Sequence, residues 1–278
     1  MSGSRYKLLW SGTSRFGDHI EVVEKGAVVQ LRVNEVWQGE WNRRSPLLLP
    51  TPYMQQMLLA LCYARALRRF LVIGLGTGCL PKALRAILPR SRVDVVEIDS
   101  VIVEVAKRFF GVVPDDGSDR RRPGLYVHVG DGVEYVLQTE ETYDAIFVDA
   151  FSGSELPEAF RSRRTVYHLR KRLVPGGVLA FNLSRLDAFA IGDVVAHISA
   201  LVAPPAAFDP KNDERHDDLN LVLIAPTPHS SRRMRQRRLF LESHKTRLGM
   251  DIGQLLRNEL HPSALRHSTE TFVTHFLV

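Results

Sequence analysis

The stretch Phe70-Leu71-Val72-Ile73-Gly74-Leu75-Gly76-Thr77-Gly78 decides the fold. Four apolar residues read as a buried strand, and the alternating glycines let the backbone turn sharply at its carboxyl end before a helical pattern begins. The next strand closes in Val95-Val96-Glu97-Ile98-Asp99, with Glu97 standing 19 residues beyond Gly78. A glycine turn that approaches a nucleotide needs an acid about 20 residues on to accept hydrogen bonds from the ribose hydroxyls. Gly74, Gly76, Gly78, Glu97 and its neighbour Ile98 are therefore candidates for nucleotide binding. The G-x-G-x-x-G/A fingerprint of NAD sites fits less well, because position 79 is Cys79.

Working outward, strands are expected at 70–74, 92–97, 125–129, 145–149 and 178–183, and at 219–225 as an antiparallel edge. Helices are expected between them at 78–88, 100–110, 132–140, 157–173 and 187–202. This alternation predicts a mostly parallel sheet. The third strand ends His128-Val129-Gly130-Asp131-Gly132, where Asp131 can accept from an adenine amino group, or can cap the following helix. The fourth runs Tyr143-Asp144-Ala145-Ile146-Phe147-Val148-Asp149, which puts Asp149 at the carboxyl end of a central strand, beside the glycine turn. A carboxylate there can orient an amine and take its proton, since only the neutral amine is a nucleophile.

Ahead of the sheet, Ile20-Glu21-Val22-Val23 and 27–33 read as a hairpin turned at Glu24-Lys25-Gly26, and 51–67 as one helix. Beyond Pro228 the chain turns basic and helical, at 231–248 and again at 251–260. The expected organisation is a β-rich region at 1–50, a nucleotide-binding catalytic domain at 51–228 and a basic helical extension at 229–278.

The 278 residues are 45% hydrophobic and 24% charged, which excludes a mainly disordered chain. Apolar runs fall short of the roughly 18 residues of a membrane span, and the N-terminus lacks the pattern of a signal peptide. The expectation is a soluble, cytoplasmic protein without membrane contact, its two cysteines, Cys62 and Cys79, reduced. The net charge of +6 comes with arginine clusters at 120–122, 161–164 and 232–238. No aromatic residues interleave with them as in a stacking platform, so solvated basic faces are favoured over a nucleic-acid partner.

Taken together, VIGLGTG, VVEID, VGDG, YDAIFVDAFSG and LVPGGVLAFNL, preceded by β structure, resemble the spermidine synthase-like branch of the S-adenosylmethionine-dependent methyltransferase fold, over about residues 20–225. The resemblance implies an α/β, Rossmann-like class I methyltransferase fold. Its mostly parallel seven-stranded sheet would have an antiparallel edge strand and follow a small N-terminal β hairpin region. It implies aminopropyl transfer from decarboxylated S-adenosylmethionine to a small-molecule amine in polyamine biosynthesis, without a metal, by a homodimer. Within it Glu97 matches the ribose acid, Asp131 and Gly132 the adenine-side motif, and Asp149 the catalytic aspartate. Gln38 looks like a nucleotide-contacting glutamine and Tyr53 like the tyrosine of the active-site helix.

The chain departs from the family at three acids: Thr77 in the glycine turn, Ser152 three residues after Asp149, and Gln55 two residues after Tyr53. Fewer acids would leave a polyamine's charges unpaired. Methyl transfer from S-adenosylmethionine itself and a non-catalytic nucleotide-binding module are the alternatives. Glu155 and the acidic run 212–218 could contact the acceptor or could be solvated loops. His216 lacks a second histidine at metal-ligand spacing. Cys79, near a helix N-terminus, could carry a lowered thiol pKa, but small-residue packing is the favoured role.

Overall fold

A computed structural model describes residues 6–117, 119, 122–151, 155–209, 220–228 and 234–260. Four antiparallel strands come first, β1 (Lys7–Thr13), β2 (His19–Lys25), β3 (Val28–Val33) and β4 (Val36–Asn42), side by side in that order. The hairpin read from sequence is β2–β3, with Lys25 opposite Val28. β4 follows through Asn34 and Glu35, both in the left-handed region at φ 48° and 66°. Two such residues in succession match the twist of a two-residue hairpin turn. Asn34 is held there by donating to Asp18 Oδ1 at 2.8 Å and accepting from the His19 amide at 2.9 Å.

Two short helices, α1 (Pro52–Met57) and α2 (Ala60–Tyr63), replace the single helix expected over 51–67. The chain tightens between them, where the amides of Leu59 and Leu61 bond three residues back, to Gln56 and Leu58. Next come β5 (Arg69–Ile73), α3 (Cys79–Ile87), β6 (Arg92–Glu97), α4 (Ser100–Phe109), β7 (Gly124–Val129), α5 (Gly132–Gln138) and β8 (Tyr143–Val148). The helix expected at 157–173 divides into α6 (Glu158–Arg161) and α7 (Arg163–Lys171), because Ser162 caps the second by accepting from the Thr165 amide at 3.2 Å. The remainder comprises β9 (Leu173–Ser184), α8 (Ala188–Leu201), β10 (Ala206–Phe208), β11 (Asn220–Pro226), α9 (Met234–Glu242), α10 (Lys245–Leu248), α11 (Ile252–Arg257) and β12 (Glu259–Leu260).

The main sheet has the order β12-β10-β11-β9-β8-β5-β6-β7, with β5 to β9 parallel. β11 is antiparallel as expected, but it lies between β9 and β10 rather than at the edge, and the two-residue β12 makes an eighth strand. β10 is three residues long behind Pro204-Pro205, too short to mark itself by periodicity. The chain lays β5, β6 and β7 outward and then returns to place β8 on the other side of β5. That reversal opens a crevice at the carboxyl ends of β5 and β8.

Both faces of the sheet are covered, which is why its central strands read as largely apolar runs. One face carries Phe70, Val72, Ala145, Phe147, Val178 and Ala180, packed with residues of α1, α2, α3 and α11. The opposite face carries Leu71, Ile73, Ile146, Val148, Leu179 and Phe181 under α5, α7 and α8. Leu241, Leu248 and Leu255 of the C-terminal helices join the first face, so these helices cap the sheet. In the N-terminal sheet, Ile20, Val22, Val29 and Leu31 pack on Val105 and Phe110. Each such side chain contributes about 1.5–3 kcal/mol of burial. Among the described residues no helix is long and apolar enough to cross a membrane.

Candidate active site

The strand ends around the crevice are joined by backbone bonds before their loops diverge: Gly74 N to Val96 O, Gly130 N to Glu97 O and Asp149 N to Ile73 O, each at 2.9 Å. Gly74 takes φ +96°, and a Cβ there would overlap the Asp149 carbonyl, so this position demands glycine on two counts. Glu97 is buried, and its two oxygens accept from the Leu75 amide at 2.8 Å and the Asp99 amide at 2.9 Å. Burial lifts its carboxyl above the ordinary range, while the amides of Asp99, Leu75 and Gly76 pull the other way without cancelling the rise. Glu97 therefore organises the glycine turn and keeps further lone pairs for a ligand. Ile98 follows it with its side chain partly exposed, and its carbonyl accepts from Arg15 Nη1 at 2.9 Å.

Asp131 caps α5: its Oδ1 accepts from the Val133 amide at 2.6 Å and the Glu134 amide at 3.3 Å. The capping alternative thus holds, and it leaves Oδ2 for another donor. Gly132 is the buried first residue of that helix.

The N-terminal sheet closes on the turn through β4. Gly39 stands where a side chain would press on Thr77, Thr77 Oγ1 donates to Cys79 Sγ at 3.3 Å, and Cys79 Sγ donates to the Glu40 carbonyl at 3.3 Å. Gln38, half-buried, is one residue before this contact. Cys79 opens α3, but burial pushes its thiol pKa up, overriding any lowering from the helix terminus, so it is a packing residue.

Strand alternation places Asp149 on the same face as Ala145 and Phe147, and Asn182 on that of Val178 and Ala180; these are one face of the sheet. Asn182 Nδ2 donates to Asp149 Oδ1 at 2.8 Å. Burial pushes the Asp149 carboxyl up to about 6, against the pull of this hydrogen bond. Helix α1 covers that face over β9 and β11. Its buried side is formed by Tyr53, Met54, Gln56 and Met57, one helical stripe. Gln56 is fully buried with neither amide atom partnered, and Asn182 Oδ1 and Thr51 Oγ1 are likewise buried without a partner among the described residues. An unsatisfied buried group costs about 1–3 kcal/mol, which makes orphaned groups on the face of the sheet that bears Asp149 significant.

Asn182 and Gln56 were not singled out by sequence reasoning. Gln55, where the family has an acid, spends its amide on the Leu49 carbonyl at 3.1 Å. Glu155 is exposed. Ser152, the acidic run 212–218 with His216, and Arg120, Arg121, Arg232 and Arg233 lie outside the described residues. No group of three or more His, Cys, Asp or Glu able to hold a metal ion occurs among the described residues.

Residues 53–184 match the sequence model of the spermine/spermidine synthase domain. A polyamine aminopropyltransferase of Vibrio vulnificus is 34% identical over 134 residues, 47% of this chain and 42% of that protein. The human eEF1A lysine and N-terminal methyltransferase is 32% identical over 143 residues, 47% of this chain and 20% of that protein. The chain thus spans under half the length of these curated relatives. A solved spermidine synthase, in complex with the transition-state analogue AdoDATO, superposes with a TM-score of 0.67 at 13% identity, covering 95% of this chain and 88% of that one. The fold is that of the Rossmann-like methyltransferases.

Proposed function

We propose that this chain, whose residues 53–184 match the spermine/spermidine synthase domain, is a transferase moving an aminopropyl group from decarboxylated S-adenosylmethionine to a small amine. The observation that carries this reading is Asp149, a carboxyl lifted to about 6, held by Asn182 and set against the glycine turn. A base poised near neutrality is the group such a reaction needs.

In this reading Glu97 accepts from the ribose hydroxyls, Ile98 and Asp131 flank the adenine, and Gln38 with Gly74, Gly76, Gly78 and Gly132 shapes the nucleotide pocket. Asp149 holds the acceptor as its ammonium, takes the proton and leaves a neutral nitrogen lone pair. Nitrogen attacks the aminopropyl carbon in line with sulfur; the C–N bond forms as the C–S bond breaks, and the pair returns to sulfur as a neutral thioether. The proton passes from Asp149 to water. Tyr53, on the covering helix, bounds the acceptor. The protein's contribution is positioning and charge placement.

Methyl transfer from S-adenosylmethionine is the second reading, supported by the 32% identity over 143 residues to the human eEF1A lysine and N-terminal methyltransferase. A homodimer and a reducing cytoplasmic setting belong to the proposal, the latter in keeping with free, buried Cys62 and Cys79. Calorimetry with the carboxylated and decarboxylated donors decides: tighter binding of the decarboxylated one supports aminopropyl transfer, and tighter binding of the other supports methylation. Failure of both to bind at millimolar concentration overturns the nucleotide reading.

A further inference from the structure

We infer that the acceptor side of the crevice selects an amine whose other polar groups are neutral, an amino alcohol rather than a diamine, through Gln56 and Asn182. The inference rests on the alkyl-transfer reading above. Tyr53, Met54, Gln56 and Met57 form the buried side of α1, and α1 lies over β9 and β11 on the face that bears Asp149 and Asn182. Gln56 is fully buried with both amide atoms unpartnered among the described residues, and Asn182, buried as well, gives its Nδ2 to Asp149 and leaves Oδ1 unpartnered among them. Gln55, the position at which a carboxylate would neutralise a second ammonium, is neutral and already bonded to the Leu49 carbonyl.

One amine nitrogen therefore finds a carboxylate, Asp149, and the rest of the acceptor meets amides. A second ammonium buried against amides keeps most of its desolvation cost, because neither amide supplies the opposite charge. A hydroxyl both donates and accepts, and so satisfies an amide oxygen and an amide N–H at once. The orphaned atoms of Gln56 and Asn182 offer that pair.

The test uses the whole chain with methylthioadenosine, the thioether product, bound first, and titrates 4-amino-1-butanol against 1,4-diaminobutane by calorimetry. The amino alcohol is expected to bind about tenfold or more tightly, in line with a buried polar pairing gained or lost. Gln56→Glu is expected to reverse the preference and Gln56→Met to weaken the amino alcohol about tenfold, both leaving methylthioadenosine affinity within about threefold. Equal or tighter binding of the diamine by the unmodified protein overturns the inference without requiring any variant to fold. Loss of methylthioadenosine binding by the unmodified protein is a separate result and overturns the transfer reading on which the inference rests.

Discussion

Asn182 donates its side-chain amide to Asp149 Oδ1 at 2.8 Å, and among the described residues this bond is what draws down a carboxyl that burial lifts to about 6. If Asp149 is the base, kcat/KM falls about tenfold per pH unit below about 6 as the carboxylate is protonated. Asn182→Leu removes the bond and should carry the acid limb of the pH profile upward by about one unit, since a hydrogen bond to a charged group contributes about 1.5–3 kcal/mol and a unit of pKa corresponds to about 1.4. Rates measured from pH 5 to 9 check this. A limb that stays in place in the variant removes Asn182 from the control of Asp149.

The same shift makes Asp149 a stability liability. Its folded carboxyl titrates near 6 against 3.8 when unfolded, so the native state binds the proton more tightly, and stability rises as pH falls through that window. The deficit is fully present above about 6. Asp149→Asn removes it, and at pH 7.5 should stabilise the fold by roughly 2–3 kcal/mol while abolishing turnover. At pH 5 the gain should shrink to about half. Urea midpoints of the two proteins at both pH values supply the comparison; a variant no more stable at pH 7.5 contradicts the burial argument.

Gly74 and Gly76 separate two costs that a glycine turn combines. Both take positive φ, +96° and +50°, but only at Gly74 would a Cβ overlap the Asp149 carbonyl; at Gly76 nothing among the described residues lies within 4 Å. Gly76→Ala should therefore cost about 1–2 kcal/mol, the left-handed penalty alone. Gly74→Ala adds a backbone clash at the centre of the sheet and should cost about 4 kcal/mol or more, with loss of nucleotide binding. Denaturation midpoints of the pair are the measurement, and equal losses would refute the close approach.

The glycine turn, Glu97 and Asp149 were legible in the sequence because each ends a strand buried on both faces, where an apolar run stops abruptly at a polar or glycine residue. Their meeting follows from strand order, which the alternation of elements implies. The Asn34-Glu35 turn was illegible because it uses two left-handed non-glycine residues held by Asp18, a partner 16 positions away. Asn182 interrupts Val178-Leu179-Ala180-Phe181, and that lone amide was the available signal. Its partner depends on the register that sets Val148 opposite Phe181, a tertiary fact. Counting two residues from Tyr53 selects Gln55, whereas the helical repeat of three selects Gln56, which is unpartnered among the described residues.

Thr77 marks the sharpest departure from the family's acids, and restoring the acid is the natural experiment. Thr77 is only 2% exposed, with its hydroxyl on Cys79 and its flank against Gly39 of β4. An aspartate placed there would bury a carboxylate with the Cys79 thiol and the Glu40 carbonyl nearby, neither of which can neutralise it. Thr77→Asp should consequently destabilise the fold by about 2–4 kcal/mol and loosen the seam between the N-terminal sheet and the glycine turn. Hydrogen exchange should show faster opening of β4, and affinity for decarboxylated S-adenosylmethionine should fall rather than rise. Thr77→Ser keeps the hydroxyl without the charge and should stay within about 1 kcal/mol of the unmodified protein. A variant at 77 that binds the decarboxylated donor tenfold more tightly with an unchanged melting temperature would show that this side chain faces the ligand and not the seam.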